Sequence, residues 1–315
     1  MSELAHAPVA EAFTDPAEAA ARLEEAGYLA DDAASTVAYL ADALGKPILA
    51  EGPAGVGKTE LARAAAIARD ARLVRLQCYE GLDEASALYE WDYRKQLLAV
   101  QAQPDRDWDD ASAHIYGEAF LLERPLLRAL RSDEPTVLLI DEVDKVDVDF
   151  EALLLEILDD YQVSVPELGT VTARRRPYVV LTSNRTRELS EALKRRCLYL
   201  SLDYPDPERE AAIVRARVPD ATAALADRLA AVVRSLRELD LRKPPSIAET
   251  IDWARTLLAI AEGEADPQRL AATAGVVLKH DDDLEAGVAH LRGQSASRVG
   301  DGTPNPRGVA GPRPR

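Results

Sequence analysis

The sequence predicts an α/β protein built on a parallel sheet, followed by a smaller all-α domain. Three observations lead there. Between residues 47 and 205, short apolar runs alternate with amphipathic stretches of helical period, the order that a parallel sheet requires. After Pro207 the strand signal stops and helical patterns alone continue. A glycine-rich turn, Gly52–Thr59 (GPAGVGKT), joins the first apolar run directly to a helix.

A chain of 315 residues with 47% hydrophobic content suits about two domains with sizeable cores. The formal charge of −17 argues against nucleic acid or an anionic membrane surface as the partner. From Arg292 onward five arginines face one aspartate, so the tail carries +4 and the rest of the chain −21. Cys78 and Cys197 give neither a disulfide framework nor a metal-ligand spacing, and a reducing cytoplasm is the expected compartment. No apolar run approaches a membrane span, and the acidic N-terminus has no signal core. The expected divisions are a flexible start (1–20), an α/β domain (21–205), a helical domain (206–291) and a disordered basic tail (292–315), too rich in Gly, Pro, Ser and Arg to bury itself.

In chain order, Pro16 to Ala26 reads as a helix stopped by Gly27, and Asp31 to Leu44 as another stopped by Gly45. Pro47 to Ala50 is a buried strand entering the glycine turn through Glu51. Gly57 to Arg69 continues as helix, with Leu61, Ala64, Ala65 and Ala68 on one face. Leu73 to Gln77 is the second strand. Cys78 to Gln103 concentrates aromatics (Tyr89, Trp91, Tyr93) and is either a partner-binding insert or a helix packing them on its own domain. Pro104 to Ala113 is an acidic loop, and Ile115 to Arg131 a helix that restarts at Pro125. Thr136 to Ile140 is a fully buried strand ending in Asp141-Glu142. Phe150 to Tyr161 is an amphipathic helix, and Val163 to Val171 a β-hairpin turning at Leu168-Gly169. The run Arg174-Arg175-Arg176 reads as solvated. Tyr178 to Thr182 is another buried strand, ending in Ser183-Asn184; Glu188 to Arg196 is a short helix and Cys197 to Leu202 the last strand. Helices are then expected at 207–217, 220–239, 245–262, 267–279 and 283–291.

The glycine turn carries the first chemistry. Its spacing fits G-x-x-x-x-G-K-[ST], the phosphate loop of nucleotide-binding proteins. The backbone of Gly52, Pro53, Ala54, Gly55, Val56 and Gly57, with the first turn at Lys58, Thr59 and Glu60, can close around phosphate oxygens. Lys58 supplies a point charge for the β- and γ-phosphates, and the Thr59 hydroxyl can ligate Mg²⁺. A nucleotide with Mg²⁺ is therefore the expected ligand. Asp141-Glu142 carries the second. A strand ending in two acids also suits a helix N-cap with a first-turn acid. Downstream of a phosphate loop, Asp141 is expected to hold Mg²⁺ through its water shell and Glu142 to activate the attacking water. Asn184 can hold that water through its amide, or serve simply as a turn residue.

Together, the phosphate loop, the VLLIDE strand, the TSN strand end and the helical end resemble AAA+ ATPases in kind and order. The finer resemblance is to the MoxR group, and within it to CoxD-like proteins. It is carried by LQCYEGLDEASALYEWDYRKQLL after the second strand, FLLERPLLRAL before Asp141 and LTSNRTRELSEALKRRC after it. It implies a five-stranded parallel P-loop core with the Asn184 strand between those of the phosphate loop and Asp141, a β-hairpin insert and an all-α lid. It also implies a homo-oligomeric ring, usually a hexamer, with ATP at subunit interfaces. Asn184 matches the sensor 1 position, and Arg196, with Arg195 its close rival, the arginine that reaches a neighbour's γ-phosphate. Ala248 stands where a sensor 2 arginine is usual; Arg242 or Lys243 can substitute, so that role stays unassigned. The insert and the hairpin project in such proteins, which points Tyr89, Trp91 and Val163–Val171 toward a client.

The function so implied is a Mg²⁺-dependent, ATP-hydrolysing chaperone that remodels a protein client. CoxD-like relatives imply a molybdenum hydroxylase such as carbon monoxide dehydrogenase as client, and a von Willebrand A-domain partner. Two other classes share the ATP residues. A nucleic-acid motor conflicts with the −21 body, and a nucleotide-gated scaffold with little turnover conflicts with intact Glu142 and Arg196.

Overall fold

The computed structural model describes residues 12–102, 115–165, 169–261 and 265–299, side chains excepted at 261 and 294–299. The chain divides into two compact units, Met1–Tyr204 and Pro205–Arg315.

The first unit is organised by strands β1 (Ile48–Glu51), β2 (Arg72–Gln77), β3 (Tyr89–Trp91), β4 (Leu121–Glu123), β5 (Thr136–Asp141), β6 (Gln162–Val165), β7 (Gly169–Thr172), β8 (Tyr178–Ser183) and β9 (Leu198–Ser201). Five of them form one sheet in the order β2-β5-β8-β1-β9, and every pairing in it is parallel. β8 therefore lies between β1 and β5, as the sequence led us to expect.

The apolar runs are continuous because the central strands are buried on both faces. Leu49, Leu138, Ile140, Val179 and Leu181 point into one core, capped by the helices Pro125–Leu130 and Val148–Asp160. Ile48, Ala50, Val137, Leu139 and Val180 point into the other, under the helix Lys58–Ala68 and the two N-terminal helices, Pro16–Glu25 and Asp32–Leu44. Each fully buried Leu, Ile or Val contributes about 1.5–3 kcal/mol. All these parallel strands end on the same side, where ligands of such sheets gather.

Several expectations need correction. The flexible start, set at 1–20, is anchored from residue 12: Phe13 is 1% exposed, and Asp42 accepts hydrogen bonds from the Ala12 and Phe13 amides at 2.6 and 3.2 Å. Asp42 also pairs with Arg69 at 2.6 Å, and the Arg69 guanidinium lies over the Tyr178 ring. Ile115 to Arg131 is not one helix. Leu121–Glu123 is β4, antiparallel to β3, and Pro125 opens a new helix after an extended Arg124. Trp91 is buried and Tyr89 half-buried, stacked edge-on to each other, so both pack on their own domain. Tyr79, Tyr93, Leu97, Leu98 and Val100 are exposed in that insert. The short helix before β9 starts at Glu191, capped by Ser190. Arg176 is half-buried with its guanidinium over the Tyr161 ring, so the basic run is not simply solvated.

The hairpin forms, β6 against β7 with Val163 opposite Val171 and Val165 opposite Gly169. Val163 and Val165 are buried in the first core, while Ser164, Thr170 and Thr172 are exposed. The acidic stretch Pro104–Ala113 and Leu168 lie outside the described residues.

Among its described residues the second unit has helices only, Pro207–Arg217, Ala223–Arg237, Ile247–Ala261, Pro267–Thr273 and Asp281–Val299, with a 3-10 turn at Ala274–Val276. Trp253 is fully buried at its centre and donates its ring N–H to the Thr273 hydroxyl at 2.7 Å. Glu210, also fully buried, takes both Nη groups of Arg237 at 2.6 and 2.9 Å and the Thr250 hydroxyl at 2.8 Å. That bidentate geometry satisfies a carboxylate that would otherwise be costly to bury. The last helix continues to Val299, beyond the point at Arg292 where composition predicts loss of order; residues 300–315 lie outside the described residues.

Candidate functional site

The glycine turn leaves β1 at Glu51 and passes directly beneath β9. A Cβ added at Gly52 would stand 1.9 Å from the Leu202 carbonyl oxygen, so this position admits glycine alone. Gly55 and Gly57 have φ of 77° and 101°, a region where other residues are strained. The turn opens the helix Lys58–Ala68, which shares with the Pro125–Leu130 helix the lack of a side-chain N-cap. Asp15, Asp31, Asp147, Ser190, Asp206 and Thr222 cap the helices they precede with side-chain oxygens. Gly57 has no side chain, and the first-turn N–H groups of its helix have no such cap. Uncapped amides at a helix N-terminus form an anion site.

Lys58 is 6% exposed, and its Nζ donates to the carbonyl oxygens of Gly52 and Pro53 at 2.6 and 2.7 Å. Burial lowers the pKa of this ammonium, against an upward pull from Asp144, Asp141 and Glu142. Val56 is buried, Ala54 and Gly55 are exposed, and Pro53, Thr59 and Glu60 are half-buried.

Asp141 and Glu142 follow at the end of β5, one strand removed. The Thr59 hydroxyl lies 3.0 Å from Asp141 Oδ1, which links the phosphate-loop helix to that strand end. Thr182, 1% exposed on β8, donates its hydroxyl to the same Oδ1 at 2.6 Å and accepts the Glu142 amide at 2.9 Å. Glu142 has φ 59°, a left-handed conformation uncommon outside glycine. Thr182 fixes this turn, and with it the direction of the Glu142 side chain. Asn184 Nδ2 reaches Glu142 Oε1 at 3.3 Å, and Gln77 Nε2, at the end of β2, reaches Oε2 at 3.2 Å.

Asp144 locks the loop after β8. It accepts the Asn184 amide at 3.2 Å, and the Thr186 amide and hydroxyl at 2.9 and 2.5 Å. Burial raises its pKa, but those hydrogen bonds outweigh burial and leave it lowered. Cys78, beside these acids, has a thiol pushed up to about 12 by burial and by Asp141, Asp144 and Glu142, so it stays protonated and inert at neutral pH.

The structure thus brings together Gly52 to Glu60, Asp141, Glu142 and Asn184. Arg196 stands apart, with its guanidinium paired to Asp159 and its Nη1 on the Ala192 carbonyl at 3.1 Å. Arg195 is exposed. In the helical unit, Ser246 and Glu249 form a reciprocal capping box at the helix Ile247–Ala261, and Lys243 pairs with Glu249 at 3.1 Å. Sequence reasoning missed Arg75, Gln77, Asp144 and Thr182. The polar alternation of Arg75 and Gln77 at the carboxyl end of a strand was the available signal for two of them.

Hydroxyl and carboxylate oxygens at Thr59 and Asp141 suit a hard cation such as Mg²⁺, which binds through few protein groups and completes its shell with phosphates and water. Among the described residues no group of three or more His, Cys, Asp or Glu is placed to hold a metal ion.

Residues 47–197 match the AAA domain of the dynein-related subfamily. That span runs from the entry of β1 to the end of the helix carrying Arg196, so it contains the whole constellation. The five parallel strands and the C-terminal helical region are consistent with an AAA+ P-loop core. The chain is also 26% identical over 257 residues to the denitrification regulatory protein NirQ of Stutzerimonas stutzeri, covering 75% of this chain and 85% of that protein. Among the described residues no helix is long and apolar enough to cross a membrane.

Proposed function

We propose that this protein is a Mg²⁺-dependent ATPase that works as a MoxR-type ring to remodel a protein client. One observation carries the reading. A buried lysine and a hydroxyl on one helix turn stand against two strand-end carboxylates, and an amide from the strand between them touches the second.

In this reading, Lys58 leaves the Gly52 and Pro53 carbonyls for the β- and γ-phosphates, which the uncapped amides of its helix also bind. Thr59 and Asp141 would hold Mg²⁺, which would supply charge neutralisation for the phosphates. Glu142 accepts the proton of the attacking water. Each Glu142 oxygen takes one amide, Asn184 Nδ2 or Gln77 Nε2, which leaves acceptor capacity for that water. Asn184 then holds the water in line. Arg196, or Arg195 beside it, stabilises the charge forming on a neighbour's γ-phosphate, a contribution of about 10³–10⁵ in related hydrolases.

A regulatory rather than metabolic role is supported by the likeness to NirQ, a regulatory protein by its designation. A molybdenum hydroxylase client, a von Willebrand A-domain partner, a hexameric ring and a cytoplasmic location rest on the CoxD-like segments of the sequence.

Action between subunits is tested by mixing. Arg196→Ala and Lys58→Ala rings are each expected to be inactive, and mixtures to recover part of the ATPase rate, because some interfaces then pair an intact loop with an intact arginine. Mixed rings, verified by differently tagged subunits, that recover nothing would rule out Arg196 as the residue acting in trans.

A further inference from the structure

Asp141 has no free acceptor position. Its Oδ1 takes the hydroxyls of Thr59 at 3.0 Å and Thr182 at 2.6 Å. Its Oδ2 takes two N–H groups of one guanidinium, Arg75 Nε at 3.0 Å and Nη2 at 2.6 Å. A carboxylate offers about four lone-pair sites, and all are filled. A hydrated cation can therefore reach Asp141 only by displacing a donor.

The three donors differ in freedom. Thr182 is 1% exposed and also fixes the Glu142 amide, so it stays. Thr59 holds a single hydroxyl hydrogen bond on the same oxygen as Thr182. Arg75 is held from the edge strand β2, with a side chain 43% exposed against 4% for Asp141. Its Nη2 also donates to Gln77 Oε1, a second acceptor it can keep when Asp141 is taken. Arg75 is therefore the donor that can swing away with least disturbance.

We propose that Arg75 is the resident counter-cation of the nucleotide-free site: it neutralises Asp141 and competes with a divalent cation for it. It is a positioning residue, not a catalytic one. Loading of the site then requires exchange of one cation for another at Asp141, and Arg75 sets the Mg²⁺ concentration at which this occurs. The inference rests on the ATPase reading for its purpose, but the exchange itself is a property of Asp141 and the metal.

The test uses the full chain as wild type, Arg75→Ala and Arg75→Lys. The first readout is the melting temperature as Mg²⁺ is added without nucleotide. The second is the Mg²⁺ concentration giving half-maximal binding of a fluorescent ATP analogue. In EDTA, Arg75→Ala is expected to melt below wild type, because Asp141 is left without a cation, and to regain more stability than wild type on adding Mg²⁺. Its half-maximal Mg²⁺ concentration is expected to fall by roughly 3- to 10-fold, the range for losing a partly exposed, charge-assisted competitor. Arg75→Lys, which keeps the charge but not the fork, is expected between the two and carries the test if the alanine variant does not fold. An unchanged or raised Mg²⁺ requirement in folded variants would overturn the proposal, since Arg75 would then be orienting Asp141 for the metal. Should wild type bind no analogue at any Mg²⁺ concentration, the ATPase reading fails, and the nucleotide-free melting series alone decides the exchange.

Discussion

Lys58→Ala is expected to reduce ATP affinity by about 100-fold or more, the largest loss among single changes at this site. Its ammonium is the cation that the loop itself carries to the phosphates. It is already desolvated, 6% exposed and held on two backbone carbonyls, so little further dehydration opposes its transfer to phosphate oxygens. Alanine also leaves the Gly52 and Pro53 carbonyls without that donor. Calorimetric titration of ATP in Mg²⁺ reads the affinity, and a melting curve shows whether the loop change has unfolded the domain. Lys58→Arg separates the two effects, because it keeps the charge without the compact ammonium that fits between those carbonyls. An alanine variant that binds like wild type would remove Lys58 from the phosphate site.

Glu142→Gln is expected to leave ATP binding within a few-fold of wild type and to slow hydrolysis by about 10²–10⁴. The change removes proton-accepting ability and one acceptor oxygen, so the Gln77 Nε2 contact to Oε2 is lost. The left-handed backbone at residue 142 is held by Thr182 through the amide, which the substitution does not touch. Asn184 can still donate to the remaining carbonyl oxygen. Single-turnover phosphate release compares the chemical step directly. Equal rates in wild type and variant would favour the nucleotide-gated scaffold, in which turnover has no role.

The large features of this fold were readable because they obey local rules. Strands buried on both faces read as near-continuous apolar runs, so Thr136–Ile140 and Tyr178–Thr182 announced themselves. The core of the site was readable for a related reason. Lys58 and Thr59 lie within one short motif, and Asp141-Glu142 directly follows a buried strand. What escaped was set by pairing between distant segments. Thr182 reaches Asp141 because β5 and β8 are neighbours in register, with Ile140 opposite Leu181, and nothing in YVVLTS marks the hydroxyl for that task. Arg75 reaches it because β2 lies beside β5, with Gln77 opposite Asp141.

Helical misreading had a different origin. Leu121 to Glu123 sits in a Leu- and Glu-rich stretch with good helical propensity, but pairing with Tyr89–Trp91 decides its conformation. The anchoring of Phe13 likewise depends on Asp42 and Arg69, both distant in sequence. The aromatic concentration in 78–103 signalled packing as readily as binding, and Trp91 went to packing.

The central claim is that Gly52–Thr59 and the β5 strand end together hold ATP with Mg²⁺. Calorimetric titration of wild-type protein with ATP, run with Mg²⁺ and again in EDTA, tests it most directly. The account predicts saturable uptake of one nucleotide per competent site, with affinity falling markedly when the cation is removed. Absence of binding in both titrations, at every assembly state obtained, would contradict it.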